Sequence, residues 1–287
     1  MTGTALYDVP GPQARRRHRL YGVLATVVIL GILAWVLYLL FDTEQFTATK
    51  WTPFAYKGIQ EMLLRGLGNT LKAFAYAAVL SLVLGGVLAC GRLSEHGPVR
   101  WAATLVVEFF RAMPVLVMIF FVFVALKVQP LPALVTGLTL YNGSVLAEVF
   151  RTGVNSVERG QREAAYSLGM NKTQVMSHVL VPQALRAMLP TIISQLVVAL
   201  KDTSLGFLIT YEEFLHAGKL IASNLDYDLP FIPVVMVISP VYIGMCMLLS
   251  WFATWVAKQQ RRSLKTEAVQ VAPAEPGTLM PGTTAHG

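Results

Sequence analysis

The feature that most restricts the fold is a set of apolar runs, each long enough to cross a lipid bilayer as a helix. A transmembrane helix needs about 20 apolar residues to span the roughly 30 Å hydrocarbon layer. Residues 20–41 supply such a run without a charged side chain. The further runs contain few charges and cover residues 67–90, 112–126, 131–150, 185–210 and 231–257. The sequence therefore predicts an all-α integral membrane protein with about six transmembrane helices.

Composition excludes the other broad classes. Charged residues make up 14% of the chain and hydrophobic residues 55%, whereas soluble domains carry roughly 25% charged residues. A soluble fold and a disordered chain are both excluded. Cys90 and Cys246 lie in apolar runs, which excludes a disulfide scaffold and a cysteine zinc site. The histidines are scattered along the chain, so we expect no metal site.

Lysine and arginine indicate the orientation of the spans. With six spans both termini face the same side, and the loops on that side hold most of the basic residues. Basic loops remain in the cytoplasm. We therefore expect a multi-pass protein of the cell membrane with both termini cytoplasmic. The formal net charge of +7 is then an orientation signal, and we expect no nucleic-acid partner.

The longest loop on the cytoplasmic side, residues 151–186, is predicted to form two helices joined by a bend, and we call it the elbow. Apolar residues recur at helical spacing in its first half. Gly169 stands where a left-handed C-terminal cap belongs, with Met170 as its apolar contact. Asn171 and Gln174 have the spacing of a capping box that opens the second helix.

The elbow has two interpretations on its periodicity alone. Small side chains at Ala164, Ala165 and Gly169 leave a patch that another protein can approach closely, so that the elbow would be a lever gripped by a soluble partner. Alternatively, an amphipathic loop of this kind lies on anionic lipid. In both cases Pro182 is expected to break or kink the second helix just before the fifth span.

A longer motif favours the first interpretation. The elbow contains Glu163-Ala164-Ala165, three residues, Gly169, nine residues, and then Val179-Leu180-Val181-Pro182. This pattern resembles the EAA signature of ABC-type importer permeases, with valine where that family usually has isoleucine or leucine. Further segments look like the polar amino-acid subfamily: Gly68-Asn69-Thr70-Leu71, Glu108-Phe109-Phe110-Arg111-x-x-Pro114, Ala147-Glu148-x-x-Arg151 and Lys201-Asp202-Thr203-Ser204-Leu205. Within that subfamily, the chain looks most like actinobacterial glutamate permease subunits.

The resemblance implies a permease subunit of an ATP-driven, binding-protein-dependent importer that moves a polar amino acid by alternating access. Glutamate is the first candidate substrate, followed by glutamine or another polar amino acid. The implied partners are a cytoplasmic ABC ATPase dimer, a second permease subunit (a sister or an identical chain), an external amino-acid-binding protein and membrane lipid. The residues implied to couple to the ATPase are Glu163, Ala164, Ala165, Gly169 and Pro182.

The chain is not expected to be an enzyme. It has no Walker-type phosphate-binding loop, so ATP and Mg²⁺ are expected on the partner ATPase and no cofactor on this chain. The alternative function is an ATP-independent, ion-coupled carrier or channel for polar solutes, which would leave the elbow without a role.

The subfamily often has Gly-Thr and a later glutamine where this chain has Ala112, Met113 and Met118. We therefore expect substrate contacts to differ at that glutamine position.

The resemblance also divides the chain into segments. We expect the permease transmembrane domain in residues 67–257, with the elbow as its coupling loop and one extra helix before the usual five-helix core. The other segments are a cytoplasmic lead (1–19), the extra transmembrane helix (20–41), an external loop (42–66) and a largely disordered cytoplasmic tail (258–287).

Polar groups at membrane depth are costly and are therefore candidates for the substrate pathway. Lys201 would bind the substrate carboxylate, and Glu148 or Asp202 would bind the ammonium group. The structural alternative is that Lys201 and Asp202 pair with each other or with Glu148. The residues expected to complete the hydrogen bonds are Asn142, Ser144, Thr203 and Ser204.

Two further patterns predict helix contacts. Glu108 and Arg111 are three positions apart and favour an ion pair on one helical face, or a contact with the elbow. Ser81, Gly85 and Ala89 form a stripe of small residues that is a candidate subunit interface.

Overall fold

Every regular element in residues 11–269, the part of the chain that the computed structural model describes, is helical. Within this range the side chains of Pro12, Arg15 and residues 256–269 are not described. The helices are α1 (Pro12–Asp42), α2 (Ala48–Trp51), α3 (Lys57–Arg92), α4 (Gly97–Ala112), α5 (Val115–Phe120), α6 (Pro130–Asn155), α7 (Arg159–Ser167), α8 (Lys172–Gln174), α9 (Val181–Asp202), α10 (Phe214–Ala222) and α11 (Phe231–Val269). The π-helical turns Phe121–Ala125 and Val175–Leu180 extend α5 and α8, and 3-10 turns cover Thr52–Ala55, Thr203–Ile209 and Leu225–Tyr227.

By length and composition, five helical segments in the described residues can cross a membrane, or six if a bent pair of helices counts as one span. The prediction of an all-α membrane protein with about six spans is confirmed. The five segments are Arg16–Asp42, Lys57–Arg92, Pro130–Asn155, Lys172–Ile209 and Phe231–Trp255.

The third predicted span, residues 112–126 with an amphiphilic lead-in over residues 101–111, is sharply bent in the structure. Helix α4 ends at Ala112, and α5 begins at Val115 after a bend of 100°. Met113 has extended backbone angles, as expected for a residue that precedes proline, and Pro114 has no N–H to continue the helix. The predicted run therefore lies almost wholly beyond the bend, in α5 and its π-helical extension, while α4 precedes it in a different direction.

The chain also differs from prediction at its C-terminal end. Helix α11 continues to Val269, so residues 258–269, which we expected in the disordered tail, are helical. This stretch has two residues each of Lys, Gln and Arg, which favour helix, and the first proline beyond it is Pro273. The rest of the predicted tail, residues 270–287, and the start of the lead, residues 1–10, lie outside the described residues.

The described residues divide into two compact units, one of residues 11–64 and 217–238, the other of residues 65–216 and 239–269. In the first unit the apolar side chains of α1 are exposed along its length. In the same unit Nζ of Lys50 lies 3.3 Å from Oδ2 of Asp228, and the rings of Tyr56 and Tyr227 lie 6.1 Å apart.

The core of the second unit is built around α6. One buried cluster joins α6 to α3, α5 and the 3-10 turn Thr203–Ile209. The other, which we call the elbow cluster, joins α6 to the elbow and α9. Its buried members are Leu146, Val154, Ala165, Val175, Leu180, Ala184, Met188 and Ile192.

The stripe of small residues on α3 belongs to this core. Ser81, Gly85 and Ala89 are buried within the chain. A Cβ atom added at Gly85 would lie 2.8 Å from Cβ of Leu146 and 3.0 Å from the carbonyl oxygen of Gly143. The prediction of a subunit interface here is therefore wrong, because the stripe lets α3 approach α6 of the same chain.

Candidate functional site

The first half of the elbow ends in the cap that its sequence predicts. Gly169 has φ +77°, the left-handed conformation that favours glycine. Its N–H donates to the carbonyl of Tyr166 at 2.9 Å, and the N–H of Met170 donates to the carbonyl of Ala165 at 3.3 Å. These two bonds define a Schellman motif. The bend of the elbow is therefore fixed by backbone hydrogen bonds.

The second half begins with the predicted capping box. The N–H of Gln174 donates to Oδ1 of Asn171 at 2.9 Å, and the N–H of Asn171 donates to Oε1 of Gln174 at 2.8 Å. Of the two outcomes predicted at Pro182, a break or a kink, the break does not occur, since the backbone stays helical through this residue. The π-helical turn Val175–Leu180 stands just before this proline, where a regular α-helix would bring its ring against the carbonyl four residues earlier.

The motif residues of the elbow have different surroundings. Ala165 is 5% exposed and belongs to the elbow cluster, and Pro182 is half-buried at the start of α9. Glu163, Ala164 and Gly169 are exposed. The last three thus lie on the surface that is available to a partner, whereas Ala165 and Pro182 shape the elbow itself.

Two apolar side chains beside this exposed motif were missed by the sequence analysis. Leu168 is 83% exposed and Tyr166 46%. Both belong to the turn that ends α7 at Gly169, where neighbouring side chains are small. Exposed apolar groups next to small residues are suited to contact with a protein surface.

The elbow is also tied to the turn between α3 and α4. The ammonium group of Lys172 forms an ion pair with Glu95 in that turn. Its hydrogen bond and its charge hold the pKa of Glu95 below the usual range. This contact gives the elbow a second attachment besides the elbow cluster.

Glu148 is held at the end of α6 nearest the elbow, which we call the elbow end. Its carboxylate accepts from Nη2 and Nε of Arg151 at 2.6 and 3.1 Å. Nη1 of Arg92, at the end of α3, lies 2.7 Å from Oε2 of Glu148, and its Nη2 lies 3.2 Å from Oε1 of Glu108. The predicted pair of Glu108 with Arg111 is present at 3.5 Å. The sequence analysis missed Arg92, although a basic residue ending a long apolar helix was a signal.

Three of the pathway candidates are buried inside the chain. Asn142 is 1% exposed; its Nδ2 donates to the carbonyl of Leu138 at 2.9 Å, and its Oδ1 accepts from Nε2 of Gln195 at 2.8 Å. Thr203 is fully buried and donates to the carbonyl of Leu200 at 2.6 Å. Ser144 is fully buried, and its hydroxyl has no hydrogen-bond partner among the described residues.

Lys201 is placed differently, because it is exposed and lines two cavities between α9 and α11. The cavities measure about 460 and 530 Å³. Ser250 lines both, and the larger is also lined by Ser194 and Thr254. Asp202 and Ser204 are half-buried nearby in sequence and line neither cavity.

The described residues contain no ion pair between Lys201 and either Asp202 or Glu148. Helices α6 and α9 run antiparallel, and the bond between Asn142 and Gln195 marks a common level. Glu148 lies toward the elbow from that level and Lys201 lies away from it, so that about 18 Å along the helix axes separates the two. These two candidates therefore belong to different ends of the helices.

A buried carboxylate at the end of this unit away from the elbow was not predicted. Glu213 is fully buried and caps the start of α10, because its two oxygens accept from the N–H groups of Leu215 at 2.8 Å and His216 at 2.6 Å. The hydroxyl of Tyr242 donates to it at 2.7 Å, and that of Thr70 lies 3.5 Å away. Burial raises the pKa of Glu213, and these hydrogen bonds oppose that rise.

Comparison with known proteins gives consistent matches. Residues 81–262 match a family model described as "Binding-protein-dependent transport system inner membrane component". The chain is 44% identical over 193 residues to the glutamate transport system permease protein GluD of Corynebacterium glutamicum, covering 64% of this chain and 71% of that protein. It is 33% identical over 175 residues to the glutamate/aspartate import permease protein GltK of Escherichia coli O6:H1, covering 56% and 78%.

A solved structure agrees with these matches. The chain resembles a crystal structure of an amino acid ABC transporter with histidines at a TM-score of 0.64 and 26% identity, covering 70% of this chain and 94% of that one. The family model includes the elbow, α6 and α9, and it excludes α1.

Proposed function

The chain belongs to the family of binding-protein-dependent transport system inner membrane components, and we propose that within it this permease carries glutamate. It is the amino-acid permease subunit of an ABC importer, a multi-pass protein of the inner or plasma membrane, and the ATPase is a separate subunit. The ATP-independent carrier considered above is thereby set aside. Glutamine and other polar amino acids are the next candidate substrates.

The elbow is the observation that carries the mechanism. Its bend is held by a Schellman motif and a capping box, and its inner face is anchored in the elbow cluster. We therefore expect that a partner which displaces the exposed residues of the elbow also displaces α6 and α9, because the elbow itself does not bend first. Glu163, Ala164 and Gly169 are proposed to contact the ATPase, while Ala165 and Pro182 hold the shape that makes the contact.

The orientation and the partners follow from the same elements. We place the elbow end and both termini in the cytoplasm, because Arg92, Arg111, Arg151 and Lys172 collect at the elbow end. An ABC importer works as a complex with ATPase subunits and a binding protein. For this chain we propose an ATPase dimer at the elbows of two permeases, identical or sister chains, and an external amino-acid-binding protein at the opposite face.

The substrate is proposed to pass along the α9–α11 face that Lys201 lines. The Lys201 ammonium would attract a substrate carboxylate, and Ser194, Ser250 and Thr254 offer hydroxyl groups along the same face. Asn142, Ser144 and Thr203 lie away from this face and are proposed to hold the helices. Nucleotide and Mg²⁺ would bind only to the ATPase.

The test is uptake by the purified complex of this permease, its ATPase and its binding protein in proteoliposomes. We expect accumulation of radiolabelled glutamate only when both ATP and the binding protein are present. Unlabelled amino acids added in excess rank the substrates, and glutamate should compete more strongly than glutamine. Stronger competition by glutamine would contradict the substrate assignment. Uptake without ATP would contradict the mechanism.

A further inference from the structure

The ion pairs at the elbow ends of α3, α4 and α6 form one continuous chain of alternating charge. Its order is Arg111, Glu108, Arg92, Glu148, Arg151. The two outer contacts each join residues three positions apart on one helix. Arg92 alone among the five links different helices, since it reaches Glu108 on α4 and Glu148 on α6. We call these three residues the arginine bridge.

The guanidinium of Arg92 is buried, and some of its N–H groups have no hydrogen-bond acceptor among the described residues. Its side chain is 9% exposed, yet among the described residues neither Nε nor Nη1 has a hydrogen bond of good geometry, although Nη1 lies close to Glu148. An arginine fork can bind one carboxylate through two parallel bonds, as Arg151 does. Arg92 is instead divided between two carboxylates. It can therefore move fully onto either one, which gives the two discrete arrangements that a coupling element requires.

Both sides of the arginine bridge are attached to the elbow. The end of α6 packs into the elbow cluster through Val154, and a Cβ atom added at Gly153 would overlap Sδ of Met188 in α9. The turn after α3 is held to the elbow by the pair of Lys172 and Glu95. A displacement of the elbow therefore acts on α6 and on the α3–α4 turn together, and the arginine bridge is the ionic contact between them.

We propose that Arg92 is a positioning residue that transmits movement of the elbow to α3 and α4, by shifting its guanidinium between Glu148 and Glu108. The inference rests on the proposed function, because it assigns the arginine bridge a part in the transport cycle. Arg92 touches neither substrate nor nucleotide in this role. It sets how much of the work of ATP hydrolysis reaches the membrane helices.

The charges of the cluster make a test practicable. Removing Arg92 leaves two glutamates with two arginines on their own helices, so no buried carboxylate loses its local partner. Removing Glu148 would instead leave three arginines with one carboxylate, which is costly at a partly buried site. Arg92→Gln is therefore expected to assemble, and it is the variant to examine.

The measurement is the amount of amino acid taken up per ATP hydrolysed by the reconstituted complex. We expect this ratio to fall about tenfold in Arg92→Gln, within the usual range of coupling between sites. It should also fall in Arg92→Lys, because a compact ammonium group lacks the planar fork with which the guanidinium presents different nitrogens to the two carboxylates. The matched control is Arg100→Gln, which removes the same charge from α4. Arg100 donates to the carbonyl of Ser94 at 3.2 Å and is not part of the arginine bridge.

A purely structural role would lower uptake and ATP hydrolysis together and leave their ratio unchanged. An unchanged ratio in Arg92→Gln, or an equal loss in Arg100→Gln, overturns the proposal. If Arg92→Gln fails to assemble, Glu108→Gln replaces it, since that side chain is 55% exposed and its removal opens only the α4 side of the arginine bridge. An unchanged ratio there overturns the proposal as well. A wild-type complex without amino-acid uptake would contradict the proposed function itself.

Discussion

Lys201 is the charged side chain in the lining of both cavities between α9 and α11. A charge-assisted hydrogen bond contributes about 1.5–3 kcal/mol, and each 1.4 kcal/mol is about tenfold in binding. We therefore expect Lys201→Met to lower glutamate uptake at least about tenfold at an unchanged amount of complex. The control is Lys72→Met, because Lys72 is exposed on α3 and lines neither cavity. An equal loss in both variants would show that Lys201 has no special contact with the substrate.

Glu213 makes the stability of the protein depend on pH. Burial raises its pKa above the ordinary 4.5, so the folded state binds the proton more tightly than the unfolded state does. Its stabilising contribution is complete below the unfolded value and is lost as pH rises through the folded pKa. Glu213→Gln does not titrate. The melting temperature of the wild type minus that of this variant should therefore decrease as pH rises above 4.5.

The neighbouring glutamate supplies the control for this measurement. Glu212 is exposed and differs from Glu213 by one position. Glu212→Gln removes a carboxyl group at this exposed neighbouring position, so the part of the pH dependence that belongs to Glu213 is the part that this variant does not reproduce. A difference between wild type and Glu213→Gln that stays constant with pH would mean that the carboxyl group of Glu213 has the same pKa in the folded and unfolded states.

At the scale of the element, the bend of the elbow depends on the left-handed backbone conformation of Gly169. Gly169→Ala places a Cβ atom at φ +77°, which costs about 1–2 kcal/mol. The matched change is Gly160→Ala, because Gly160 lies in α7 with open space at its Cβ position and no left-handed backbone. Alanine there is neutral or favours the helix.

Hydrogen exchange of the elbow amides separates the two variants. We expect exchange in residues 159–180 to be about fivefold faster in Gly169→Ala, which corresponds to about 1 kcal/mol of local stability. Exchange in Gly160→Ala should be equal to or slower than that of the wild type. Equal exchange rates in all three proteins would contradict the view that the Schellman motif fixes the bend.

The elements that the sequence predicts correctly are those whose signals are local. The cap at Gly169 and the capping box of Asn171 with Gln174 each depend on residues within five positions. The apolar runs likewise predict the spans. The break at Met113 and Pro114 has a local signal as well, because Pro114 has no N–H to continue the helix and allows a kink there.

The contacts that the sequence does not predict join residues far apart in the chain. Arg92 and Glu148 meet at 2.7 Å, and Tyr242 donates to Glu213 at 2.7 Å. No spacing rule relates such residues, because their distance depends on how helices pack. The same reason explains Glu148, which the sequence suggests for substrate binding and which two arginines hold at the elbow end.

For the second unit as a whole, α3 connects the two polar clusters. Thr70 at one end adjoins Glu213, and Arg92 at the other end belongs to the arginine bridge. About 33 Å of unbroken helix separates them. Between them, nearer to Arg92, Gly85 brings α3 into close contact with α6. A displacement of α3 at its elbow end is therefore transmitted along the helix to the buried carboxylate at its far end.

Helix α1 is expected to be dispensable for transport. The apolar side chains of α1 are exposed, and the family model begins after α1, at residue 81. Deleting residues 1–42 should leave uptake per complex within about twofold of wild type.

The remaining arginines at the elbow end, including Arg92, Arg111 and Arg151, keep the charge bias that orients the spans. Uptake in proteoliposomes, with protease accessibility of the elbow to verify orientation, provides the measurement. A loss of uptake in a correctly oriented complex would assign α1 a role in the transport cycle.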